Sequence, residues 1–123
     1  AIEAVALQCA ELIECMQQDR GFPLTELRVD GGAAHSKPLM QLQADLLGVP
    51  VVRPQCIETT ALGAAYLAGL GVGVWSDRET IASQWQVDTT FTPTPDEERL
   101  HKLRSSWQHA LQHAKDWGSH VFD

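Results

Sequence analysis

Along the first twenty residues apolar side chains return at steps of three and four, with Ile2, Val5, Ala6, Cys9, Leu12, Ile13 and Met16 set against Glu3, Glu11, Glu14 and Gln18. That period predicts an amphipathic α-helix. Gly21 can take a left-handed conformation, Phe22 can fold back and Pro23 cannot continue the helix, so the stop is expected near Asp19 or Arg20. From Leu24 to Asp30 the pattern changes to alternation, Leu27 and Val29 on one face and Glu26 and Arg28 on the other, which predicts a strand running into Gly31-Gly32. Ser36-Lys37-Pro38 then reads as a helix start, with Ser as cap and Pro at the first helical position. Leu39, Leu42, Leu46 and Leu47 form the apolar face of that helix, and Gly48 ends it. Val49 to Val52, β-branched and flanked by Gly48 and Pro54, suits a buried strand.

The second half is read in the same way. Glu58-Thr59-Thr60 precedes a run of small residues, where a Thr can cap a buried helix through Ala64, Ala65, Leu67 and Ala68. Gly69, Gly71 and Gly73 break it, and Trp75 to Trp85 is expected to hold a short surface helix. Val87, Thr89 and Phe91 alternate as an edge strand, and Pro93 and Pro95 mark a turn. Leu100, Leu103, Trp107, Ala110 or Leu111, Ala114 and Trp117 make a final helical stripe, with Trp107 and Trp117 as core anchors. Helices alternating with strands is an α/β order.

The chain has 123 residues, enough for one domain or part of a larger one. Nine Lys and Arg against sixteen Asp and Glu leave a net charge of −7, which disfavours nucleic acid or an acidic membrane as partner. The cations are scattered, so a bound phosphate tail would be held mostly by backbone amides. Cys9, Cys15 and Cys56 match no metal or redox spacing and read as small buried residues of a reduced, cytoplasmic protein. Ala61 to Trp75 is uncharged but shorter than the roughly 18–20 residues of a membrane span. Ala1 to Ala10 lacks the basic start of a signal peptide and already carries helical periodicity, so the chain is expected to open inside a structural element.

The feature with most chemical content is a strand, Asp30-Gly31-Gly32, a short turn and a helix start. Residues without side chains let a ligand approach the main chain, and amides at a helix start suit a phosphate. The pattern is neither GxGxxG nor a P-loop, and a plain turn would show the same residues. Asp30 can reach a metal-bound water or bond its own backbone, Glu58 suits a helix start electrostatically, and His35 stands beside the turn. His109 and His113 lie one helical turn apart with no third ligand in register, which favours a solvated face over a metal site.

Asp30-Gly31-Gly32-Ala33, Leu39 to Gly48, Arg53-Pro54 and Glu58 to Leu70 together resemble the C-terminal part of glycerol kinases, members of the FGGY carbohydrate kinases within the actin-like ATPase superfamily. The resemblance is specific in the middle of the chain and looser from Ser76 onward. It implies the C-terminal portion of an actin-like (ribonuclease H-like) ATPase lobe, with helices packed on a small mixed sheet. Residues 1–123 are then expected to be a partial, ATP-side domain, with acceptor-binding and catalytic regions upstream and neither catalytic residues nor metal ligands in this chain. The resemblance implies ATP with Mg2+, glycerol or a related polyol as acceptor, and a homo-oligomer. In the family the paired glycines sit beside the α-phosphate and ribose, and the matching positions are Gly31 and Gly32. Four residues beyond the second glycine, glycerol kinases usually set an Asn against the adenine; here Ser36 offers one hydroxyl in place of an amide. A xylulose or gluconate kinase, or a non-catalytic module that keeps the fold, are the alternatives.

Overall fold

The computed structural model describes residues 1–121, with side chains described through Ser119. Five helices flank a three-stranded sheet: α1 (Ile2–Arg20), β1 (Leu27–Arg28), α2 (Lys37–Leu47), β2 (Val51–Pro54), α3 (Thr59–Val72), α4 (Arg78–Ala82), β3 (Val87–Phe91) and α5 (Glu97–Val121). The strand order is β1-β2-β3, with β1 parallel and β3 antiparallel to β2, so the expected small mixed sheet is present. Only Leu27 and Arg28 count as strand, but the pairing extends through Leu27 N–H to the Pro50 carbonyl and Val29 N–H to that of Val52. Leu27 and Val29 pack against the core, as the alternation predicts.

The core lies between the sheet and α1 and α2. Leu39, Met40, Leu42, Ala44 and Leu46 are buried on α2, with Val51 beneath them and Phe91 closing the far strand. Gly21 and Gly48 end α1 and α2 in left-handed conformations, φ 75° and 68°. Pro38 is the second residue of α2 rather than the first, where its missing N–H is equally harmless because the first turn has no intrahelical acceptors.

On α1 the face turned inward differs from the predicted one. Ala6, Leu7 and Ala10 are buried, whereas Ile2, Val5, Leu12 and Met16 stand 44 to 62% exposed. The small Ala6 and Ala10 let α2 approach closely enough for buried Gln43 Nε2 to donate to the Ala6 carbonyl at 3.2 Å. The longer apolar residues are thereby rotated outward. The cysteines are corrected with them: Cys9 and Cys15 on α1 and Cys56 after β2 are free and exposed.

Helix α3, expected to be buried, is mostly a surface helix, with Leu67 and Val72 at 71 and 80% exposure and Gly69 its one buried residue. Its contact is made through Gly69, which receives the Trp75 ring so closely that any Cβ there would collide with it. The same ring meets Tyr66 edge-on at 5.2 Å. The short surface helix is confined to Arg78–Ala82, started by Asp77 accepting from the Thr80 amide at 2.8 Å. Leu100, Leu103 and Trp107 of α5 reach the core, but Trp117 is 73% exposed and anchors nothing among the described residues. Arg104 fastens α5 instead, donating to the Leu46 carbonyl at 2.7 Å and to Glu14 at 2.8 Å. No described helix is long and apolar enough to cross a membrane.

Candidate functional site

Strand β1 leads directly into the paired glycines. Gly31 has φ 80° and ψ 173°, a combination essentially open only to glycine. Its amide donates to the Ile57 carbonyl at 2.9 Å, and its carbonyl accepts from Ala34 at 3.1 Å. The chain then winds through one 3-10 turn, Gly32–His35, which alternation and capping signals did not reveal. The amides of Gly32 and Ala33 donate to no acceptor among the described residues. A Cβ built on either Gly31 or Gly32 would meet nothing within 4 Å, so this stretch of main chain is bare.

Ser36 follows as the cap of α2, as predicted, its Oγ accepting from the Leu39 amide at 3.3 Å. Gly31, Gly32 and Ser36 therefore belong to one continuous turn. Because Gly31 alone is held at positive φ, Gly31→Ala should lower stability by about 1–3 kcal/mol while Gly32→Ala stays nearly neutral. Denaturant titration of the two variants measures the difference.

Two side chains hold the turn from opposite ends. Asp30 Oδ2 accepts from Thr59 Oγ1 at 2.6 Å, which ties the end of β1 to the first residue of α3. This corrects the expected capping by Thr: Glu58 is the cap residue of α3, with no side-chain capping bond. Asp30 thus bonds a neighbouring element rather than its own backbone. At the other end, Arg53 of β2 is buried and its Nη1 donates to the Ala34 carbonyl at 3.1 Å. Its Nε and Nη2 donate to Asp88 Oδ2 at 3.0 and 2.7 Å, and its guanidinium lies 5.4 Å from the Phe91 ring centre. The Arg53 hydrogen bonds, followed by that of Thr89, hold the Asp88 carboxyl below the ordinary carboxylate value. Sequence reasoning did not assign Arg53 this role. The available signal was a lone charge in the buried run Val51-Val52-Arg53-Pro54, where a cation requires partners.

The remaining candidates lie apart from this arrangement or are only adjacent to it. His35 ends the 3-10 turn and is exposed. Among the described residues no group of three or more His, Cys, Asp or Glu is placed to hold a metal ion. A cavity of about 330 Å³ opens between α3 and α4, with Cys56, Leu62, Tyr66, Ile81 and Trp85 among its walls. Neither glycine lines it, and no Lys or Arg stands among its walls to balance a phosphate's charge, so the turn and not the cavity is the better nucleotide candidate.

Residues 1–72, which span α1 through α3 and include the turn, Ser36 and Arg53, match the C-terminal domain of the FGGY family of carbohydrate kinases. The chain belongs to this family. Among its relatives is the glycerol kinase of Deinococcus radiodurans, 58% identical over 117 residues, covering 95% of this chain and 23% of that protein. The glycerol kinase of Trichlorobacter lovleyi is 54% identical over 116 residues, with 94 and 23% covered. The FGGY chain thus spans about a quarter of the length of these relatives. The crystal structure of Plasmodium falciparum glycerol kinase with ADP superposes with a TM-score of 0.74 at 32% identity, covering 91% of this chain and 22% of that one. Xylulose kinase from Rhodospirillum rubrum, at TM-score 0.69 and 23% identity over 94% of this chain and 24% of that one, shares the fold. The α/β architecture expected of an FGGY C-terminal region, in the actin-like ATPase class, is the one observed.

Proposed function

We propose that the chain is the nucleotide-side portion of an ATP-dependent glycerol kinase, with Gly31 and Gly32 facing the ribose and inner phosphates and Ser36 on the adenine side. The observation that carries this reading is the bare main chain at Gly31-Gly32, where the glycine-only conformation of Gly31 precedes Gly32 and Ala33 amides that are free to donate. The ADP-bound glycerol kinase of Plasmodium falciparum and the glycerol kinase relatives support both nucleotide and acceptor. Bound ATP supplies the γ-phosphoryl group that a terminal hydroxyl of glycerol receives. The chain's own contribution is positional: Arg53 and Asp30 hold the turn rigid, so its amides present a fixed surface without reorganisation.

Ser36 spends an acceptor site on the Leu39 amide and retains its O–H as the one donor it can offer a base. Mg2+ would accompany the phosphates, its protein ligands lying in parts of the kinase outside this chain, together with the catalytic base and the acceptor contacts. Residues 1–123 would accordingly be a partial domain, inert alone, that closes over nucleotide within a cytoplasmic homo-oligomer. The test is phosphoryl transfer by the full-length protein from labelled ATP to glycerol, xylulose and gluconate. Label is expected in glycerol; preferential labelling of a sugar acceptor overturns the acceptor assignment, and no transfer to any of them overturns the kinase reading.

A further inference from the structure

The exposed face of α5 carries an arrangement unrelated to the turn. His109 and His113 bring their Nε2 atoms to 3.1 Å, with the rings edge to face at 4.6 Å between centroids. Both side chains are exposed, so nothing packed against them fixes their χ2 angles. Two imidazoles at i and i+4 on one helix face are the pairing by which helical His motifs hold zinc. Metal–nitrogen bonds of about 2.0–2.1 Å drawn from nitrogens at this separation meet at an angle of roughly 100°, between the square and tetrahedral values. The 3.1 Å contact is a hydrogen bond in which one Nε2 holds the proton, so an ion takes that proton's place and rotation of both rings about χ2 directs the two lone pairs to it.

The surroundings favour a cation. The residues three or four positions from either His are Ser105, Ser106, Ala110, Gln112, Asp116 and Trp117, one acid and no base. Asp116 already accepts from Gln112 at 3.0 Å, and Lys102, further back on the helix, is paired with Glu98 at 2.9 Å. We propose that His109 and His113 form a surface site for a single divalent transition ion, with water in the remaining coordination positions. Two neutral nitrogens and open positions predict that copper(II) binds more tightly than nickel(II) or zinc(II). An ion held there would clamp one turn of α5 beyond the region that packs on the core.

Nickel(II) chloride titrated into the intact protein, followed by calorimetry, tests the site. His109→Gln and His113→Gln should each weaken the strongest nickel site by at least roughly tenfold, since losing a direct ligand costs no less than losing an outer-shell partner. His101→Gln, on the same helix, should leave it unchanged. Gln is a good helix former, and far-ultraviolet circular dichroism of each variant checks that α5 persists. Copper(II) should in addition quench Trp117, four residues from His113, in the native protein but not in either site variant. Identical nickel isotherms for the native protein and both site variants would overturn the proposal, because the exposed thiols or other groups would then account for the binding.

Discussion

Under the proposed function, Gly32→Val in the full-length protein should raise the KM for ATP by on the order of 10- to 100-fold and leave that for glycerol within about twofold. The position is suited to this test because its backbone is not at positive φ and a Cβ there meets open space. Folding is therefore expected to survive, and any loss arises where the branched side chain stands in front of the amides. Displacing an inner phosphate by an ångström misaligns the reacting end, so kcat should fall as well. Gly32→Ala should give a smaller change in the same direction. Equal increases in KM for both substrates would remove the nucleotide from this turn, and the assignment of Gly31 and Ser36 would fall with it.

Arg53→Leu carries the largest expected effect on stability, a loss of about 2–3 kcal/mol. Leucine fills much of the space but leaves the Ala34 carbonyl without its donor and Asp88 without its cation. The figure is kept below that of a fully buried ion pair because the Asp88 side chain is 46% exposed and screened by water. Arg53→Lys should recover only part of the loss, since one ammonium cannot reproduce a fork that reaches Ala34, Asp88 and Thr89 together. Denaturant unfolding of the three proteins supplies the comparison.

The pH dependence has a definite sign. Asp88 is held below the ordinary value of 3.8 in the folded chain, so its contribution is complete above that pH and fades as pH falls through the lower folded value. The deficit of Arg53→Leu relative to the native protein should accordingly narrow below about pH 3.8. A gap that widens in acid would show that Asp88 is not the partner that matters.

Much of this architecture is written in local chemistry. Gly21 and Gly48 end their helices, Ser36 caps α2, and alternation around Leu27 and Val29 identifies the inward face of a strand too short to show much ladder. These follow from signals carried by a few neighbouring residues. What failed depended on distant partners. The three- and four-residue repeat on α1 cannot tell which apolar residues face α2, and close approach at Ala6 and Ala10 decides it. An aliphatic run such as α3 reads as interior whether or not anything covers it, and Trp117 looks like an anchor by period alone. The glycine turn was legible as a candidate, whereas the bracing of that turn by Arg53, 19 positions from Ala34, was not.

The outward aliphatic residues of α1 and α3 have a practical consequence. The chain presents 8649 Å² to solvent. A compact monomer of its 13.5 kDa mass would present about 6,500 Å². Studied by itself, such a polypeptide should be colloidally sticky, drifting to higher sedimentation coefficients as concentration rises. Particle sizes recorded on it would describe indiscriminate clumping, and subunit stoichiometry should be determined on a preparation in which that greasy exterior has found its cover.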